Sequence, residues 1–239
     1  MNKWTTPSGV ELDLTTLHSK FKIRASAAGI LMTNDRSGKA MGKTAKAYLL
    51  DWIKEQLFER QNSFSSKYTD KGNECEQASI DLLADHYGWG MVTKNLVNFQ
   101  DEWTTGTPDI ELADSVDDVK NSWSCFTFPM FDEVNPNDDY YWQGQVYMFL
   151  TGKDVFKLHY TLMDAPDHLI EQEARKRAGY GEVEMELYDQ VRFEMTYSTL
   201  PASARIKTYT IVKSNADITL LRQRVMDARE FIKETLINL

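Results

Sequence analysis

The chain has 239 residues, 42% hydrophobic and 26% charged, with 12 Gly and 6 Pro, enough to enclose a core and too balanced to be disordered or collagen-like. Its two cysteines exclude a disulfide framework, a four-thiolate zinc site and an iron–sulfur cluster, and no apolar run approaches the ~18 residues of a membrane helix. A formal charge of −9 argues at first against a nucleic-acid partner, but binding follows local charge rather than the total.

The charge is unevenly spread. Residues 1–71 carry 12 Lys/Arg against 7 Asp/Glu, whereas residues 72–239 carry 15 against 29. Segment 101–139 holds 11 carboxylates and the single cation Lys120. The opening run MNKWTTPSGVELDL has no signal-peptide core, so a soluble cytoplasmic protein without membrane contact is expected. The four histidines (His18, His86, His159 and His168) show no HxxxH or HxH spacing, which argues against zinc hydrolysis.

In chain order, ASAAGILMTN (25–34) predicts a short helix capped by Ser26. Residues 44–59 place Ala47, Leu50, Ile53 and Leu57 at helical spacing. A second amphipathic helix is expected over 73–86, with Ala78, Leu82 and Leu83 inward and Gly88 ending it. Strand-like pieces follow at 91–99, 108–114 and 117–126, the last two joined by a turn at Asp114-Ser115 into a hairpin. Next come a helix over 139–150 stopped by Thr151-Gly152 and a strand over 155–163 with Lys157 and His159 outward. Helices near 166–178 and 183–196, a strand at 205–212 and a helix at 215–237 complete the chain. No linker or repeat divides it. The pattern reads as a single mixed α/β domain, its core at about 21–163 and its extension at about 164–239, with helical additions at both termini. GKAMGKT (38–44) imitates a phosphate-binding loop, but three residues separate its glycines where four are needed.

The segment that carries chemistry is GTPDIELADSVDDVK (106–120). Pro108 delivers Asp109 to the start of a strand, and the hairpin brings it beside Asp118. Residues two apart share a strand face, so Asp118 and Lys120 point one way while Val119 faces the core and Asp117 faces away. Two carboxylates and an ammonium on one polar face suit phosphodiester hydrolysis with a hard divalent cation.

These residues, Pro108-Asp109 and Asp118-Val119-Lys120, resemble the motif of the PD-(D/E)XK nuclease superfamily. Two further runs are similar to its lambda-exonuclease, YqaJ and RecB-like branch. KGNECEQA (71–78) places a glycine four residues before Glu76, and YWQGQVYMFLTG (141–152) carries Gln143 and Tyr147 at QxxxY spacing. FKIRASAAGILM (21–32) looks like the first helix of that branch. The resemblance implies a restriction-endonuclease-like core, a mixed central β-sheet flanked by helices. It also implies a Mg²⁺-dependent DNA exonuclease of phage-type recombination or repair, with Mn²⁺ as substitute. Glu76, Asp109, Asp118 and the Val119 carbonyl would hold metal, Lys120 would serve the attacking water, and Gln143 and Tyr147 would organise the site. Arg24, Ser26 and Lys71 become candidate contacts to the DNA backbone. Duplex ends, a homo-oligomer (a trimer by analogy) and a single-strand annealing protein are the implied partners. Position 118 is Asp where the branch more often has Glu. That departure keeps open a single-metal or weaker second site and an inactive DNA- or protein-binding relative; a structure-specific or restriction-type endonuclease on the same fold is a further alternative.

Overall fold

The computed structural model describes residues 3–62 and 66–239. Its organising strand is β7 (Val116–Asn121). The hairpin partner β6 (Ile110–Glu111) runs antiparallel to it, with Ile110 opposite Asp117 and Glu111 opposite Val116. On its other side β7 pairs in parallel with β8 (Val155–Thr161), which pairs antiparallel with β9 (Ile206–Val212) along its whole length. The central sheet therefore runs β6-β7-β8-β9. The parallel β7–β8 pair requires a crossover, and α4 (Asp138–Thr151) supplies it.

Both faces of this sheet are covered. On one side α4 lies so close to β8 that a Cβ added at Gly144 would come within 2.1 Å of the Phe156 ring; only glycine permits that approach. On the other lies α3 (Lys67–Tyr87), whose Ile80 and Leu83 pack with Ile110 and Val119. α3 begins two turns earlier than its apolar pattern predicts. Ser66 caps it by accepting the Thr69 N–H, while the Thr69 hydroxyl accepts the Ser66 N–H, a capping box with Thr in the third position. Its buried stripe is Lys71, Cys75, Ser79, Ile80, Leu83 and Ala84; the expected inward Ala78 is exposed and Leu82 only half-buried. Gly88 ends it at φ 68°, as expected.

A three-stranded sheet sits beside the first: β3 (Ile23–Arg24), β5 (Thr104–Gly106) and β4 (Phe99–Gln100), ordered β3-β5-β4. Residues 91–98 form no ladder with it, so the long strand expected at 91–99 shrinks to its last residue. The N-terminal addition is not helical but a hairpin of β1 (Lys3–Thr5) and β2 (Glu11–Asp13). The first helices are α1 (Ala28–Met32) and α2 (Lys43–Phe58). α2 buries Ala45, Leu49, Ile53 and Leu57, while Ala47 and Leu50, expected inward, are exposed.

The C-terminal third is built into the core. β9 completes the central sheet, and α7 (Asn215–Ile237) buries Leu221, Val225, Ala228, Ile232 and Leu236 against the main apolar cluster. Helices α5 (Asp167–Arg177) and α6 (Met185–Met195) form a satellite core around Ile170, Ala174 and Val191, with Trp123 packed against it. No helix among the described residues is long and apolar enough to cross a membrane.

Candidate active site

The hairpin places Asp109 and Asp118 side by side. Asp109 is buried and its Oδ2 accepts the Val119 N–H at 2.8 Å. Its backbone is fixed by Asn95, whose N–H donates to the Asp109 carbonyl at 2.7 Å and whose Nδ2 donates to the Pro108 carbonyl at 3.0 Å. Asn95 also accepts the Val97 N–H, an Asx turn that holds an otherwise ladderless segment against the hairpin. The sequence signal was present in Asn95-Leu96-Val97, but its target, ten or more residues ahead, was not.

On β7, Asp118 and Lys120 share one face, as the two-residue period requires. The Lys120 ammonium lies 2.5 Å from Asp118 Oδ2 and 5.0 Å from the centre of the Tyr140 ring. The other oxygen, Asp118 Oδ1, accepts from Gln143 Nε2 at 3.1 Å. The same amide donates to the Tyr147 hydroxyl at 3.0 Å, which in turn donates to the Thr107 carbonyl at 3.1 Å. Gln143 and Tyr147 are one helical turn apart on α4, so a single helix face ties Asp118 to the turn preceding Asp109. Gly106 makes room for this relay: a Cβ there would lie 2.8 Å from the Tyr147 ring and 2.9 Å from Ala25 Cβ.

The electrostatics are those of two acids confined together. Burial, and then the neighbouring Asp118 charge, push Asp109 up to about 8. Burial opposes the charge of Lys120, yet the facing Asp118 and Asp109 overcome it and hold the ammonium above its ordinary value. Burial, followed by the Asp118 charge, also raises the Tyr147 phenol, so it remains a neutral donor at neutral pH. Asp109 borders a cleft of about 500 Å³ that is lined also by Glu76, Val119, Lys120, Tyr68, Trp123, Tyr140 and Tyr160; Asp118, 2% exposed, touches this lining through Lys120.

The donor set fits a hard cation. Asp118 Oδ2 is buried with no aligned hydrogen-bond donor, and Asp109 resists ionising beside it. A divalent ion between two such oxygens relieves both costs. Glu76 borders the same cleft but is engaged by an ion pair with Lys94, and among the described residues no three His, Cys, Asp or Glu side chains are gathered into a metal site. The expected three-carboxylate set is therefore two paired carboxylates and a glutamate occupied by its own lysine. Glu74, the competing acid on α3, instead lies 3.3 Å from His168 Nε2 near the surface.

Three expectations change. Lys71 is 1% exposed; its ammonium donates to the carbonyls of Ser122 and Trp123 at 3.0 and 3.1 Å, and burial lowers it to about 8. It braces the end of β7 and cannot reach a phosphate from there. Ser26 caps nothing: it lies in a 3₁₀ turn (Ala25–Ala27) without a side-chain cap, and α1 starts after Ala27. It is exposed all the same, and with Arg24, Asn98, Thr105 and Thr107 it borders a second groove of about 430 Å³ that reaches Tyr147. Third, His159 is fully buried, not outward. Its Nε2 lies 2.9 Å from Asp117 Oδ2 and its Nδ1 2.7 Å from Thr208 Oγ1.

No protein-family model and no curated protein matches the sequence. Solved structures do match. A phage-related exonuclease from Haemophilus somnus 129PT aligns at TM-score 0.74 and 25% identity, covering 91% of this chain and 96% of its own. An alkaline exonuclease from Laribacter hongkongensis aligns at TM-score 0.63 and 15% identity, covering 91% of this chain and 90% of its own. Its complex with dAMP aligns at TM-score 0.63 and 16% identity, over 94% and 93%. The likeness to these solved exonuclease structures spans nearly the whole chain, including the C-terminal third, for which the sequence offered no motif.

Proposed function

We propose that this chain, with the fold of phage-type exonucleases, is a metal-dependent deoxyribonuclease that removes nucleotides from duplex DNA ends. The observation that carries this reading is the clustering of Asp109, Asp118 and Lys120, tied by Gln143 and Tyr147, with Asp109 and Lys120 lining one cleft. Asp109 and Asp118 would hold Mg²⁺ (or Mn²⁺), with Glu76 and the Val119 carbonyl as further ligands once Glu76 leaves Lys94. The ion would supply Lewis acidity, making water a better nucleophile and offsetting charge on the phosphorus oxygens.

The rest is done by the chain. Lys120, kept protonated by its two acidic neighbours, sets a positive charge beside the phosphoryl oxygens and orients the attacking water through its N–H groups. Gln143 fixes Asp118 by hydrogen bonding, and Tyr147 anchors Gln143 to the Thr107 carbonyl. This rigidity is worth rate because positioning governs phosphoryl displacement. Arg24 and Ser26, at the far end of the relay, offer a cation and a hydroxyl to a backbone phosphate. By analogy with the family that the motifs resemble, the proposal extends to a homo-oligomer (a trimer), a single-strand annealing protein as partner, and action in the cytoplasm of a bacterial or phage-infected cell.

The test is incubation of linear and closed-circular duplex DNA with the protein and Mg²⁺ or Mn²⁺. Loss of linear DNA alone is expected. Nicked circles make the chain an endonuclease on the same fold, and intact DNA with both ions makes it an inactive relative.

A further inference from the structure

The cleft lining combines two kinds of chemistry: Asp109 and Lys120, and the aromatic rings of Tyr68, Trp123, Tyr140 and Tyr160, which the proposed chemistry leaves unused. Tyr160 is buried and Tyr140 carries the Lys120 ammonium on its ring, so both are committed. Tyr68 is not. It stands on the first turn of α3, 57% exposed, and meets Trp123 edge-on at 5.2 Å and 75°. An edge-to-face pair leaves ring surface uncovered. The pair is held in place: the Lys67 ammonium sits 4.6 Å from the Trp123 ring centre and 5.5 Å from that of Tyr68, and is itself anchored by Glu173 at 3.2 Å. Beneath, Lys71 grips the Trp123 carbonyl. A fixed, exposed aromatic ring at the rim of a polar cleft suits an occupant with a flat apolar face.

Resting on the nuclease reading above, we propose that Tyr68, backed by Trp123, is the stacking seat for the nucleobase of the nucleotide joined to the scissile phosphate. The nearest covalent neighbour of a phosphate held at Asp109 and Lys120 is a nucleoside. A cleft of about 500 Å³ has the size of a small-ligand site and suits a single nucleotide. Stacking on an aromatic ring tolerates any sequence, since every base has a π-face, which suits an enzyme that must accept whichever nucleotide comes next. Asn73, one turn further along α3 and on the same cleft wall, offers an amide to the sugar or base edge.

The experiment compares KM and kcat on linear duplexes carrying either ordinary nucleotides or a tetrahydrofuran abasic analogue at all four strand ends, read as release of the first nucleotide. Proteins tested are wild type, Tyr68→Ala and Tyr68→Phe, with thermal melting to confirm that each is folded. For wild type, the abasic ends should raise KM about 5- to 150-fold, the range of one base–aromatic stack. Tyr68→Ala should raise KM on ordinary ends by a similar factor, add nothing on abasic ends and leave kcat close to wild type, while Tyr68→Phe restores wild-type behaviour. Equal losses on both substrates, or none on either, overturn the stacking seat while leaving the nuclease intact. A wild-type protein that cleaves neither substrate removes the nuclease reading itself.

Discussion

Two adjacent aspartates on β7 have opposite fates. Asp118 faces α4, where its partners are the ammonium of Lys120 and the amide of Gln143. Asp117 faces α3 and is sealed in: it is fully buried, bonded to the equally buried His159, which is bonded in turn to Thr208, whose hydroxyl also meets Tyr87. Trp89 and Tyr87 pack against the imidazole. The residue type and the strand are the same; only the face differs. Each keeps one buried oxygen without an aligned hydrogen bond, Asp117 Oδ1 and Asp118 Oδ2, so the difference lies in the company: a carboxylate enclosed with an imidazole is a fold component, and one beside a second acid and a lysine is available for chemistry.

The largest effect expected on the open face follows Lys120→Ala. Removing the cation that faces Asp118 and Asp109 should slow DNA cleavage by about 1,000-fold, measured in single-turnover assays, with a lower melting temperature in the metal-free protein because the buried Asp118 loses its counter-charge. On the sealed face, His159→Ala strands Asp117 without its partner, and a broken buried pair costs about 3–5 kcal/mol. For a chain of this length that is a fall of about 10 °C in Tm, read by thermal denaturation, with the cleavage rate of the surviving folded fraction little changed.

The open face carries a response to pH. In the metal-free protein, Asp109 has a folded value of about 8, well above the value of about 4 expected in the unfolded chain. The unfolded state thus loses its proton first. Below pH 4 no cost arises; between about pH 4 and pH 8 stability falls as pH rises, and above pH 8 the loss is complete. Tm followed from pH 4 to pH 9 in the presence of a chelator should show this slope, and Asp109→Asn should flatten it. Added Mg²⁺ should flatten it too, by favouring the ionised form.

A smaller effect is expected at Gly106→Ala. The new methyl meets Tyr147 and Ala25 within 3 Å, so the Tyr147–Gln143 tie must shift at a cost of about 1–3 kcal/mol. A loss of about tenfold in kcat with little change in KM is the expected readout.

The same contrast explains what the sequence disclosed. The Asp109–Asp118–Lys120 face was legible because the strand period and a short hairpin are local geometry, and Gln143 with Tyr147 because one helical turn is also local. His159 was misread because alternation marks a sheet with one wet face, whereas β8 is central and covered on both sides by α3 and α4. The inward stripe of α2 was misread because apolar residues (Ala45, Ala47, Leu49 and Leu50) surround much of its first half, and only α1 and α7 decide which row is buried. Lys71 looked like a solvated cation because nothing near it in sequence reveals the Ser122 and Trp123 carbonyls some fifty residues away. The ties from Asn95 to Pro108 and Asp109, and from Lys94 to Glu76, span ten or more residues and were hidden for the same reason.

The most direct measurement makes the smallest change to each face. Asp118→Asn and Asp117→Asn are each assayed for single-turnover cleavage of linear duplex DNA in Mg²⁺ and for Tm. Asp118→Asn should abolish cleavage while melting at or above the wild-type temperature, and Asp117→Asn should melt lower while its folded fraction still cleaves. Cleavage by Asp118→Asn at the wild-type rate, or its loss only in a folded Asp117→Asn protein, would place the chemistry on the wrong face of β7.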